Sequence, residues 1–178
     1  MRAVIGWTLG GLFLFTLVAA AQQVAADDDE DNVREFRVTD DCDPRDAAWA
    51  PVGCAAINPD NGRPRRNGQV SVAEFNAALF LGHPAWRIQP PYVRNLQQDT
   101  IEVRNTGGRP HTFTEVAMFG GGVVAALNHP GAVVPTECAT AIRLAPNATQ
   151  KIENLAPGTH NFQCCFHPWM RTVVKVRE

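Results

Sequence analysis

The stretch "GTHNFQCCFHPWM" (158–170) alternates through its first half and then gathers two cysteines, a histidine and a methionine within seven positions. Alternation places His160, Phe162 and Cys164 on one face of a strand. From Cys164 onward the spacing is Cys-x-x-His-x-x-Met, ending at His167 and Met170. A thiolate, an imidazole and a thioether are soft or borderline ligands, suited to copper and unattractive to magnesium or calcium. A trigonal copper site takes one Cys and two His with a weak axial Met. The cluster supplies one His, so a second must come from elsewhere in the chain.

His111 is the candidate. It follows "VRNTGGRP" (103–110), at the end of the strand-like run "DTIEVRN" (99–105), where a turn can deliver a side chain to the end of a sandwich. His83 and His129 each precede a proline and read as turn or surface residues. His160 shares the face of Cys164, but four residues of strand separate the two by about 13 Å, too far for one ion. It reads as a core histidine with a hydrogen-bond partner. Between the two cysteines, Cys165 leaves only Phe166 before His167, a cramped loop for two ligands, and alternation points it away from the face of Phe162. Cys164 is therefore the ligand.

Working outward, short strand-like runs recur between turn signals: "DTIEVRN" with Ile101 and Val103 on one face, "HTFTEVAMF" (111–119), "ATAIRLAP" (139–146), "GTHNFQC" (158–164) and "TVVKVRE" (172–178). "QVSVAEFNAAL" (69–79) opens with alternation, and Val72 to Leu81 is the only rival helix. Glu35 to Gly68 is dense in Pro, Gly, Asp and Asn and reads as a loop-rich segment. Many short strands at near-regular spacing indicate an all-β sandwich or barrel.

The chain has 178 residues, 45% hydrophobic and 19% charged, which excludes a disordered or fibrous protein. Arg2, the apolar run Ala3 to Ala21 and the small residues after it read as a secretory leader over 1–26, cut after Ala21 or Ala26. The competing reading is an uncleaved membrane anchor. Residues 27–68 then form an acidic arm and a loop-rich, Cys-containing extension, and 69–178 a copper-binding domain. The acid run Asp27 to Asp31 dominates the net charge of −2, and "RPRR" (63–66) is the only basic run, so nothing points to nucleic acid. Five cysteines in an exported chain meet an oxidising compartment, where thiols pair and an odd one is left for other chemistry. A periplasmic or secreted location follows.

The C-terminal run "LAPGTHNFQCCFHPWMRTVVKV" (155–176) resembles the copper loop of the cupredoxins, the small blue copper proteins related to plastocyanin, and its Cys-x-x-His-Pro-x-Met form is most like that of amicyanin. "IQPPYVRNLQQDTIEVRNTGGRPHTF" (88–113) resembles the strand pair leading to the first ligand histidine. The resemblance covers about Val70 to Glu178. It implies a Greek-key β-sandwich and one copper ion held by His111, Cys164 and His167, with Met170 axial. It also implies support for the Cys sulfur from Asn105, for which a plain turn role is the alternative. Cys165, Arg171 and the long stretch between His111 and the final loop depart from the family pattern.

With Cys164 on the metal, four cysteines remain and allow three pairings. Cys42–Cys54 closes a short local ring and is favoured, leaving Cys138–Cys165; the alternative is a free Cys165 open to oxidation. The expected function is an exported, monomeric electron carrier cycling Cu(II) and Cu(I). It would meet a redox partner at the apolar surface of Phe166, Pro168 and Trp169 around His167, with Arg109 and Arg171 either steering an acidic partner or serving as ordinary surface residues. Copper storage or delivery without redox work is the alternative. An oxygen-reducing copper enzyme is not expected, because the His-x-His pairs that build a second copper cluster do not occur.

Overall fold

Alternation in "TIEVRN" is kept in space: in β4 (Thr100–Asn105), Ile101, Val103 and Asn105 are buried and the residues between them are not. The same period runs through β8 (Arg171–Val176), where Thr172, Val174 and Val176 face inward. Period-two burial of this kind makes one face of each strand a core face. The computed structural model describes residues 33–55, 70–96 and 100–178. The secretory leader, the acid run and "RPRR" lie outside the described residues.

Six further strands complete two sheets: β1 (Val33–Thr39), β2 (Arg87–Gln89), β3 (Tyr92–Leu96), β5 (Thr114–Val116), β6 (Thr149–Ile152) and β7 (Gly158–Gln163). One sheet has the order β2-β1-β4-β6 and the other β3-β8-β7-β5. Parallel pairs join β1 to β4 and β3 to β8, and the other neighbours run antiparallel. The sheets share one core, in which Phe36 of β1 meets Phe113, and Phe113 stacks on Phe162 of β7 at 4.5 Å between ring centres. The expected β-sandwich is the observed fold, with one short helix added.

That helix, α1 (Val72–Ala78), occupies the run where alternation and a helical rival competed. Ser71 caps it: its hydroxyl accepts from the Glu74 N–H while the Glu74 carboxylate accepts from the Ser71 N–H. This capping box stops the alternation of Val70-Ser71-Val72. Phe75 is the only buried residue of α1.

Two other strand expectations change. Residues 139–146 form no strand among the described residues; only Leu144 bridges, to His111. The segment set apart as loop-rich contains β1, whose Phe36 and Val38 are fully buried. The sandwich therefore draws on residues ahead of 69–178, because two apolar side chains at alternate positions suffice to bury a strand in an otherwise turn-rich stretch. Two disulfides form, Cys42–Cys54 and Cys138–Cys165, as favoured from the sequence, and Cys164 is the free thiol.

Candidate metal centre

Three neighbouring strand ends bring the soft ligands together. β5 and β7 are antiparallel with Thr114 opposite Gln163, and Gln163 stands opposite Arg171 of β8. The residues just before β5, just after β7 and just before β8 therefore lie at the same end of one sheet. These are His111, Cys164 and Met170. The loop between the last two is closed by backbone bonds from Cys164 N–H to Met170 C=O (3.0 Å) and from Met170 N–H to His167 C=O (2.9 Å), which turns His167 back over the strand end.

His111 is held by a different device. Its backbone N–H and C=O pair with Leu144 at 3.0 and 2.8 Å. The fully buried Asn105 amide donates to the carbonyls of Arg109 (2.7 Å) and Leu144 (2.9 Å) and its oxygen accepts from the Gly107 N–H. Asn105 thus shapes the turn that delivers His111; no bond from it to the Cys164 sulfur is present, so the turn role is the one realised. Support for the sulfur comes from Thr112, whose backbone N–H points at Cys164 Sγ from 3.4 Å. The Thr112 hydroxyl also accepts from the Cys165 N–H at 2.8 Å, tying the two ligand segments together.

Around Cys164 Sγ, the Nδ1 of His111 stands at 3.8 Å and the Nδ1 of His167 at 3.6 Å. The three ligand atoms lie within 4.8 Å of one another, and all three residues are buried. Met170 is 1% exposed, and its backbone carbonyl accepts from the Cys164 N–H. Burial pushes the Cys164 thiol up, but the hydrogen bonds and charges of His111 and His167 outweigh it and hold the sulfur well below the usual thiol range. Burial likewise disfavours a charged His111, yet the Asp40 carboxylate and the Cys164 sulfur overcome it and raise the ring to about 9. His167 moves the other way, lowered first by burial and further by the charges of His111 and Arg109. The site is a buried sulfur, held toward its thiolate form, flanked by two imidazoles that present their Nδ1 atoms to it. One cysteine sulfur with two imidazole nitrogen donors fits a copper ion and offers a hard cation almost nothing.

Sequence reasoning expected His111, Cys164, His167 and Met170 at this end of the sandwich, and it missed four residues that shape the site. Phe75 of α1 packs against His167 at 6.1 Å, with Trp86 at 6.3 Å and Trp169 at 5.6 Å, so His167 is only 3% exposed. Asp40 and Thr112 are the other two. Arg109 and Arg171 are structural ties. Arg109 lies over the Trp49 ring and donates to Gly53 C=O, while Arg171 lies over Phe119 and donates to the carbonyls of Pro168 and Gly120. His160 is partnered as expected, by Glu115 (2.6 Å) and the Ala156 carbonyl (2.7 Å), but at a partly exposed sheet position and not in the core.

No protein-family model matches the chain, and no curated protein does. Among solved structures, a purple cupredoxin from Nitrosopumilus maritimus is similar at 20% identity, over 53% of this chain and 85% of that one, with a TM-score of 0.38. A reduced-state amicyanin mutant is similar at 22% identity, over 49% and 70%, with a TM-score of 0.33. A Cu(I) amicyanin mutant shows 18% identity over 51% and 73%, with a TM-score of 0.34. These are partial likenesses at low identity, and the chemistry of the site is carried by its own side chains.

Proposed function

We propose that this cupredoxin-like β-sandwich is an exported electron carrier that holds one copper ion in a type-1 site, with His111, Cys164 and His167 as ligands and Met170 as the weak axial donor. The observation that carries the reading is the convergence of three soft ligand atoms within 4.8 Å in a buried pocket. Bound copper would supply one-electron chemistry, moving between Cu(II) and Cu(I).

The chain's part is to keep that exchange cheap. Cupric and cuprous ions prefer different geometries, so a site fixed by strand ends, by the Leu144 bridge and by the closed 164–170 loop limits rearrangement between them. Thr112 N–H polarises the thiolate, and Phe75, Trp86 and Trp169 keep water from His167. The two disulfides leave Cys164 as the only thiol competing for the ion. Disulfides of this kind suit an oxidising compartment such as a periplasm or the extracellular space. Because His167 itself is covered, a redox partner protein would touch the centre through the partly exposed Phe166 and Trp169.

The deciding measurement is the visible spectrum of Cu(II)-loaded protein beside Cys164→Ser. An intense thiolate-to-copper band that the variant lacks is the expected result. A loaded wild type with no such band, or with one that survives the substitution, overturns the type-1 assignment. Reversible one-electron voltammetry then separates a carrier from a protein that only stores or delivers copper.

A further inference from the structure

The fully buried Asp40 lies 71 residues ahead of His111 in sequence, in the stretch that the resemblance does not cover. It stands just past β1, which delivers it beneath the "TGGRP" turn. Its Oδ1 accepts from the backbone N–H groups of Cys42 (3.2 Å) and Gly108 (3.0 Å), and its Oδ2 from the Arg109 N–H at 2.9 Å. The His111 Nε2 lies 2.8 Å from the same Oδ2. A backbone N–H can only donate, and three of them on one carboxyl favour its ionised form, which accepts at both oxygens and donates at neither. The His111 Nε2 must then carry a hydrogen, which leaves the Nδ1 lone pair as the ring's only metal-binding position. That Nδ1 is the atom facing Cys164 Sγ.

The surrounding chain is built to let this carboxylate in. A methyl group on Gly107 would collide with Asp40 Oδ2, and one on Gly108 would lie 2.6 Å from Cys42 Sγ and 2.8 Å from the Ala55 carbonyl. The glycine pair and the Cys42–Cys54 ring therefore fit together around Asp40.

We infer that Asp40 is a positioning residue of the centre: it fixes the tautomer and orientation of His111 and sets a buried negative charge behind that ligand, which favours the cupric over the cuprous state. The potential-lowering half of this inference rests on the copper reading above; the tautomer half does not. A carboxylate hydrogen-bonded to a ligating imidazole raises the ligand's basicity, and loss of such a partner typically changes metal affinity by about 10–100-fold. Asp40→Asn keeps the shape, removes the charge and sets an amide donor against backbone N–H groups, where only the His111 ring can accept, by giving up the Nε2 hydrogen.

Voltammetry of copper-loaded full-length protein is expected to show Asp40→Asn favouring Cu(I) over Cu(II) by tenfold or more relative to wild type, an upward shift of about 59 mV or more for a one-electron couple. Glu35→Gln, which removes an exposed carboxylate on β1, should leave the potential where it is. An Asp40→Asn protein that keeps its blue band at an unchanged potential overturns the tuning role. The tautomer is read separately by nitrogen-15 NMR of histidine-labelled wild type, in the Cu(I) form and in metal-free protein above pH 9. A slowly exchanging proton on His111 Nε2 is expected, and a neutral ring protonated on Nδ1 overturns the positioning role even if Asp40→Asn fails to fold. If wild type takes up no copper, the metal-free NMR result still decides the tautomer, and only the copper reading fails.

Discussion

Replacing Phe75 with alanine should uncover His167 without touching a ligand. Phe75 is 8% exposed and meets Trp86 at 4.7 Å, Trp49 at 5.5 Å, and both His167 and Trp169 at 6.1 Å. Phe-to-Ala changes in cores cost about 3–5 kcal/mol. This ring lies at the rim of the core on a single short helix that can settle inward, so the low end, about 3 kcal/mol, applies. For a chain of this size that lowers the melting temperature by about 6–12 °C. The second consequence concerns charge. Burial is the largest cause of the lowered His167 ring, and the Cys164 sulfur pulls the other way. Water admitted by the missing ring removes the first effect and leaves the second, so His167 should titrate at a higher pH in metal-free Phe75→Ala than in wild type. Proton NMR of the His167 ring across pH, run beside thermal unfolding, gives both numbers. Phe75→Leu, which keeps most of the volume, should show smaller changes of the same sign. A variant that melts at the predicted lower temperature while His167 titrates as before would refute the view that α1 keeps the site dry.

Three further outcomes are expected. Gly82 has φ +81°, and a methyl there would lie 2.5 Å from the Trp169 ring, so Gly82→Ala should cost about 1–3 kcal/mol in chemical denaturation and displace Trp169. Thr112→Val leaves the buried Cys165 N–H without its hydroxyl acceptor and should lower stability by about 1–3 kcal/mol, measured by the denaturation midpoint. Burial disfavours a charged His160, but Glu115 and the Ala156 carbonyl raise it above its ordinary value. A raised folded-state value gives stability that is fully present below about pH 6.5 and fades as pH rises through the raised value. The melting-temperature gap between wild type and His160→Gln should therefore be widest in mild acid and shrink toward alkaline pH.

The grouping of Cys164 with His167 was legible because it is local: the two lie three positions apart, and strand alternation sets Cys164, not Cys165, in the core with Phe162. His111 was legible because a confident strand ends just before it. The groups behind the ligands were not, since what they do depends on long-range pairing. Asp40 follows a seven-residue strand hidden among turn-forming residues, and nothing in "TDDCD" says which acid becomes buried. Asn105 sits where support for the sulfur was sought, yet its amide reaches carbonyls of the turn, and the bond to sulfur comes from the main chain of Thr112, which no side-chain pattern can signal. The capping box at Ser71 and Glu74 was readable in "SVAE". It competes there with the alternation before it, which favours a strand.

The parallel pairing of β1 with β4 sets Val33 opposite Thr100 across a long excursion of chain. Closing the loop costs entropy, which the pairing and buried side chains of β1 and the bonds of Asp40 to the 107–111 turn offset. Asp40 hangs from the end of that strand and holds the ring of His111. Undocking β1 would therefore free the ring of His111, and an ion held by that ring would fasten a strand it never touches. A ligand that binds only the folded chain adds about 4 kcal/mol at a thousandfold excess over its dissociation constant. On the copper reading proposed above, loading the ion would therefore rivet the fold as well as supply its chemistry.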